Sequence, residues 1–163
     1  MIRVAVLTIS DSCAAGVRQD ASGPAVARVC ESQGWTVVHR EVLPDDRGRI
    51  QARLRELADA EAADLILTTG GTGIAARDTT PEATRAVIEK ELPGLGELMR
   101  AEGLRRTRRA VLSRAVAGVR GRCLIVNLPG SPKGAVESLN AILDLVPHIA
   151  ELLNGQTTHG EGA

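Results

Sequence analysis

Residues 65–84 read LILTTGGTGIAARDTTPEAT, and this stretch decides the architecture. Leu65 to Thr68 is a continuous apolar run of the kind a strand shows when both of its faces are covered. It empties into Thr69, Gly70, Gly71, Thr72 and Gly73, a turn whose glycines let backbone N–H groups approach an anion closely. Thr80, Pro81 and Glu82 then supply an N-cap, a first-turn proline and a dipole-favoured acid, so a helix is predicted from Thr80 through Glu91. Gly71, Gly73 and Ala76 match the G-x-G-x-x-A spacing of a dinucleotide site, but that motif must open its helix directly, and here the helix waits until Thr80. A Walker A loop is excluded because no Gly-Lys-Ser/Thr follows.

The same alternation of strand run, turn and helix extends outward in both directions. Upstream, Val4 to Ile9 reads as a first strand and Ser22 to Gln33 as a helix stopped at Gly34. Trp35 to Val42 follows as a second strand, ended by Leu43 and Pro44. Ile50, Leu54 and Leu57 repeat at helical spacing between Arg47 and Ala62. Downstream, Pro93 restarts a helix over Leu95 to Leu104, Val111 to Val119 reads as one or two short extended pieces, and Cys123 to Leu128 is another buried strand. Ser131 and Pro132 repeat the cap-plus-proline device and start a last helix, with Val136, Leu139, Ile142, Leu143 and Val146 on one face, expected to stop at Pro147. Such alternation marks a parallel α/β sheet with helices on both faces. Residues 1–155 are expected to form one domain and 156–163 an unpatterned tail.

A chain of 163 residues with 44% hydrophobic and 25% charged residues suits one globular domain rather than a fibre or a disordered tail. Trp35 is the only aromatic side chain, which argues against nucleic-acid readers that stack bases on aromatic platforms. The formal net charge is zero, giving no global pull toward nucleic acid or an anionic membrane. Locally, Arg100 to Arg122 holds eight arginines and one acid, Glu102, a stretch that suits either an anionic visitor or a solvated connector balanced by acids elsewhere. Cys13, Cys30 and Cys123 show neither disulfide nor zinc spacing, no apolar run reaches the ~18 residues of a membrane span, and no signal pattern opens the chain. The expectation is a cytoplasmic protein without a membrane partner.

In open α/β sheets ligands bind beyond the carboxyl ends of the strands. Four loops lie there: Ser10, Asp11 and Ser12 with Asp20 beyond; Pro44, Asp45 and Asp46; Gly70 to Gly73 with Arg77 and Asp78; and Pro129, Gly130 and Ser131. Two of these are phosphate-type turns. Asp11, Asp20, Asp45 and Asp78 suit magnesium shared with substrate phosphates, although each taken alone reads equally as a turn or capping residue. His39, His148 and His159 lie outside the loops, so no nucleophile and base pair is evident and covalent catalysis is disfavoured.

Thr69 to Gly73 with Arg77, Asp78 and Thr80 to Thr84, then Ser113 and Arg114, then Leu128 to Pro132, together with Ser10, Asp11 and Asp20 to Pro24, resemble the molybdenum cofactor biosynthesis family of the MogA and MoaB type. The likeness runs from about Arg3 to Gly155. It implies a three-layer α/β/α fold with a mostly parallel central sheet, a homotrimer, and binding of molybdopterin. The better characterised members are adenylyltransferases that join molybdopterin to the AMP part of Mg-ATP and release pyrophosphate. Carried over, the aspartates important to adenylyl transfer fall on Asp45 and Asp78, the glycine-loop threonine on Thr72 and the serine before Arg114 on Ser113. The resemblance implies Mg2+ held by Asp45 and Asp78. It implies substrate contacts from Ser10, Asp11, Ser12, Asp20, Gly70, Gly71, Thr72, Gly73, Arg77, Ser113, Arg114, Pro129, Gly130 and Ser131. Arg77 beside Asp78 favours the adenylyltransferase subtype, whereas Ser131 stands where that subtype commonly has Asn or Gln. The alternative is a non-catalytic MoaB-type pterin-binding paralogue or scaffold. A molybdate-inserting protein is a further candidate partner for the Arg100 to Arg122 face.

Overall fold

The computed structural model describes residues 1–156. Strand β1 (Arg3–Ile9) is followed by the one-turn helix α1 (Asp11–Ala14), α2 (Ser22–Ser32), β2 (Thr36–Leu43), α3 (Arg47–Asp59) and β3 (Leu65–Thr69). Then come α4 (Thr80–Arg85), β4 (Lys90–Glu91), α5 (Pro93–Leu104), a 3-10 segment (Arg108–Leu112), β5 (Ala117–Arg120) and β6 (Cys123–Leu128). Helix α6 (Pro132–Ile142), a 3-10 turn (Leu143–Leu145) and α7 (Val146–Leu153) follow. The strands form one sheet in the order β2-β1-β3-β6-β5-β4. β2, β1, β3 and β6 are parallel, and β5 runs antiparallel to both of its neighbours.

Strands β1, β3 and β6 are buried along nearly their whole length, as their unbroken apolar runs predict. Alternate residues feed two cores. Val4, Val6, Leu65, Leu67, Leu124 and Val126 pack under α2, α5, α6 and α7, while Ala5, Leu7, Ile66 and Ile125 pack under α3 and α4. The three-layer, mostly parallel fold is therefore present. Register aligns the carboxyl ends of the central strands, with Thr8 opposite Thr69 and Thr69 opposite Leu128, so that three loops leave side by side. His39 sits on the edge strand β2, its Nε2 3.1 Å from Glu41 and 3.2 Å from Arg53.

Several expected boundaries move, each for a local physical reason. The helix from Thr80 ends at Arg85 rather than Glu91, because residues 89–92 pair with β5 as an edge strand, Glu89 N–H donating to Val119 O and Leu92 N–H to Ala117 O. Gly118 permits that pairing, since a Cβ there would meet Ile88 and Lys90 O at 2.6 Å. Of Val111 to Val119 only the Ala117–Val119 end is extended, and Val111 and Leu112 close the 3-10 segment. Pro147 does not stop the last helix: α6 ends at Ile142, and Pro147 sits in the first turn of α7, where its missing N–H costs no helical bond. Helix α1 has no counterpart among the expected elements; Ser10 caps it by accepting from Cys13 N–H. Of the expected tail, all but Gln156 lies outside the described residues.

Candidate functional site

The glycine loop is built by close approach. Gly70 has φ 111° and Gly71 φ 70°, and a Cβ on Gly70 would run into the carbonyl of Ile9. Gly70 N–H donates to Leu128 O at 3.0 Å, so the loop crosses the ends of β1 and β6 at backbone distance. A Cβ on Gly71 would collide with the Thr80 hydroxyl and lie 3.1 Å from Asp45 Oδ1. Thus the loop, the start of α4 and the β2 exit meet at one point.

Arg114 holds the rest of the loop. Its Nε donates to Gly73 O and its Nη2 to Asp78 O, both at 2.9 Å, while the guanidinium forks onto Glu82 at 2.6 and 3.2 Å. The adjacent charge keeps the Glu82 carboxyl below its ordinary value. All four of these bonds run to the protein, so Arg114 acts on the site through the loop it positions. From the buried interior, Asn127 donates to the Thr68 and Thr84 hydroxyls at 3.0 and 2.9 Å and accepts from Val116 N–H at 3.1 Å, tying β6, β3, α4 and the start of β5 together.

The carboxylates adjoin this loop. Asp11 and Asp45 bridge reciprocally, each accepting the other's backbone N–H at 2.9 Å. Arg77 forks onto Asp11 at 2.5 and 3.0 Å and also donates to Asp45 O at 3.0 Å. The guanidinium of Arg77 therefore pulls the Asp11 carboxyl down. Asp45 is pushed the other way, by burial first and then by the charges of Asp11 and Asp78, which together outweigh its hydrogen bond from Asp11 N–H and the attraction of Arg77. Asp45 Oδ1 accepts no hydrogen bond among the described residues, and the buried Thr79 and Thr80 hydroxyls also lack a partner. Carboxylates with uncompensated charge beside a buried hydroxyl are the hard oxygen donors that a divalent cation takes. No set of three His, Cys, Asp or Glu side chains among the described residues is placed to hold a metal alone, so such a cation would complete its shell with substrate oxygens and water.

A cavity of about 480 Å3 opens beside the loop. It gathers Gly71, Thr72, Gly73, Asp78, Ser113, Pro129, Gly130 and Ser131 from the predicted set. Ser10, Asp11, Ser12, Gly70, Asp45, Arg77 and Arg114 do not line it; Asp11, Asp45 and Arg77 form the carboxylate corner next to it, joined by the bonds above. Asp20 stands apart, accepting from the Thr8 hydroxyl at 2.8 Å and from Gly23 N–H at 3.0 Å at the start of α2. Sequence reasoning missed the far wall, which includes Met99, Arg100, Glu137 and Ser138. The Arg-rich stretch pointed toward Arg100 only in general terms, and a glutamate on a helix carries no signal that it faces a cavity. Within that stretch Arg105, Arg106, Arg114 and Arg120 each pair with an acid, and Arg100 donates to Ser113 O at 3.4 Å and Ala115 O at 3.1 Å. The stretch is thus largely a balanced connector rather than one continuous basic face.

Residues 5–149 match the family described as a probable molybdopterin binding domain. The chain is 43% identical over 156 residues to the molybdopterin adenylyltransferase of Helicobacter pylori strain J99, covering 94% of this chain and 89% of that protein. It is 40% identical over 168 residues to the molybdopterin adenylyltransferase of Escherichia coli K12, covering 94% and 86%. A crystal structure of the molybdopterin biosynthesis enzyme MoaB from Thermus thermophilus superimposes with a TM-score of 0.90 at 54% identity, covering 95% of this chain and 98% of that one.

Proposed function

The chain belongs to the family of probable molybdopterin binding domains, and from that premise we propose that it transfers AMP from ATP to molybdopterin in molybdenum cofactor biosynthesis. The observation that carries the reading is the juxtaposition of two backbone N–H turns, at Gly71 to Gly73 and at Gly130, with the Asp78 carboxylate on the cavity wall and the Asp45 carboxylate in the corner next to it. The relatives named molybdopterin adenylyltransferase, similar over most of their length, support it.

An oxygen of the molybdopterin phosphate attacks the α-phosphorus of ATP in line. The new P–O bond forms as the bond to the bridging oxygen of the β-phosphate breaks, and that oxygen leaves with its electron pair as pyrophosphate. No side-chain nucleophile takes part, so the chain contributes positioning and charge compensation. The N–H groups of Gly71, Thr72, Gly73 and Gly130 receive phosphate oxygens, with the N-terminus of α6 behind Gly130 and Ser131. Ser113 contacts the pterin phosphate or dithiolene, and Arg77 shields the negative charge that Asp11 and Asp45 bring to the corner. Asp45 and Asp78 would hold magnesium, which when bound neutralises charge on the triphosphate and the departing pyrophosphate; the raised Asp45 carboxyl and the unpaired Thr80 hydroxyl support that fit.

Residues 1–155 form the working unit in this reading. The exposed Leu104, Val111 and Leu112 support a homotrimer, which light scattering would test. The ATP requirement and three free cysteines support a cytoplasmic setting. The exposed Arg105, Arg108 and Arg109 support docking of a molybdate-inserting partner. The 54% identity to the Thermus MoaB structure favours a MoaB-type subtype, and the second reading is a MoaB-type paralogue that binds the pterin without turnover. Purified protein with molybdopterin and Mg-ATP, scored for adenylylated pterin and pyrophosphate beside an Asp78→Ala control, separates the two. Product that vanishes in the variant establishes the transferase, and bound pterin without product establishes the paralogue.

A further inference from the structure

Glu137 lies on the wall of the cavity, on α6, and its side chain is only 21% exposed. Among the described residues no donor lies within hydrogen-bond distance of its carboxylate, and the one cation near it, Arg106, is 3.7 Å away. Its one partner is thus a long ion pair, and both carboxylate oxygens keep their hydrogen-bond acceptor capacity for a ligand in the cavity. Ala135, Leu139 and Ile142 turn the buried face of α6 into the core, which leaves Glu137 on the face that borders the cavity. Glu137 lies six positions after Ser131 at the phosphate turn, about 9 Å of helical rise. Met99, Leu112 and Pro129 supply apolar wall between the two ends, suited to a flat ring system.

We infer that Glu137 is the specificity-determining residue for the pterin, its carboxylate accepting the 2-amino and N3–H donors of the pyrimidinone edge. This rests on the transferase reading of the same cavity and assigns its two ends. A carboxylate is an acceptor on both oxygens, so it complements an edge with two adjacent donors. Adenine presents a donor beside an acceptor on its N6 and N1 edge, which a carboxylate meets with only one bond and one repulsion. The pterin therefore occupies the Glu137 end with its phosphate at the glycine turns, and the nucleotide approaches from the corner of Asp11, Asp45 and Arg77. Ser138, next along α6 and also on the wall, supplies a hydroxyl for the 4-oxo group.

The test is Glu137→Gln in the full chain, with Arg106→Ala as a second variant. Isothermal titration calorimetry under anaerobic conditions, without ATP, reads molybdopterin binding directly, and initial rates read KM for each substrate. Glu137→Gln is expected to weaken molybdopterin binding by about tenfold to a hundredfold, the loss of a charge-assisted pair. KM for ATP stays within about twofold. Arg106→Ala, which removes no substrate contact, retains molybdopterin affinity within about twofold and shows that loss in Glu137→Gln is not general disturbance of this wall. With wild type, 6-hydroxymethylpterin competes with molybdopterin and adenosine does not. Unchanged molybdopterin affinity in Glu137→Gln, or an equal rise in both KM values, overturns the assignment. Wild-type protein that binds pterin without turnover fails the transferase reading alone, because the calorimetric arm still decides Glu137; wild-type protein that binds no pterin overturns both.

Discussion

Replacing Arg114 by Met keeps the length of the side chain and removes every bond its guanidinium makes. Two of those bonds hold the carbonyls of Gly73 and Asp78, and two fork onto Glu82. The Arg114 and Glu82 side chains are 36% and 32% exposed, so solvent screens the ion pair and water can replace part of what is lost. The cost to stability is about 2–3 kcal/mol, or a fall in Tm of about 5–10 °C for a chain of this size. The effect on turnover is larger than that cost implies, because the loop carries Asp78. A displacement of about 1 Å in a group that must meet a reacting phosphate lowers kcat by about a hundredfold. Pyrophosphate release measured below both melting temperatures, in Arg114→Met, Asp78→Ala and the double variant, reads the coupling. If Arg114 acts through the loop, adding Arg114→Met to Asp78→Ala costs little further. Full turnover in Arg114→Met would refute the reasoning. Losses that multiply undiminished in the double variant would instead place the guanidinium on the substrate phosphates.

Asp45→Asn tests the charge at the corner. Burial and the neighbouring Asp11 and Asp78 raise the Asp45 carboxyl, so the folded chain binds that proton more tightly than the unfolded chain. The linked stability is present below the ordinary aspartate value and is lost as pH rises through the raised one. Without magnesium, Asp45→Asn should therefore melt at or above wild type at neutral pH and lose that advantage in acid, while turnover falls by about a hundredfold or more; a variant that melts lower only at neutral pH contradicts this. Asn127→Leu leaves the Val116 N–H buried without an acceptor and should lower stability by about 2–4 kcal/mol, with KM for both substrates unchanged because Asn127 does not line the cavity. Gly70→Ala forces a side chain into the Ile9 carbonyl at φ 111° and should cost about 2–4 kcal/mol, visible as a lower urea midpoint; a midpoint at the wild-type value would show that the loop does not cross β1 so closely.

Much of the molecule is legible from residues close together in the chain. The unbroken apolar runs of β1, β3 and β6, the proline-initiated starts of α4 and α6, and the glycine turn after Thr69 are local signals, and each lands where the residues put it, except that Thr80 begins α4 without capping it: Thr79 holds the N-cap position, and neither hydroxyl makes a cap bond. Parallel strands bring their carboxyl ends to one edge, so the alternation alone also indicates which loops share a site. What the residues could not disclose depends on partners far apart in sequence. Arg114 reads as a cation available to a phosphate until the fold closes it onto Gly73, Asp78 and Glu82, 41, 36 and 32 positions away. Asp20 shares the strand-exit pattern of Asp45 and Asp78, yet its carboxylate turns to Thr8 and Gly23. Helix α4 stops early because β5, not its own sequence, supplies the bonds that residues 89–92 take. The wall holding Met99, Arg100, Glu137 and Ser138 exists only where α5 packs against α6. Backbone propensity and hydrophobic period act over a few residues and are written into the chain; the direction of a charged side chain is set by whichever partner the packed fold brings within about 3 Å, and only the tertiary structure chooses that partner.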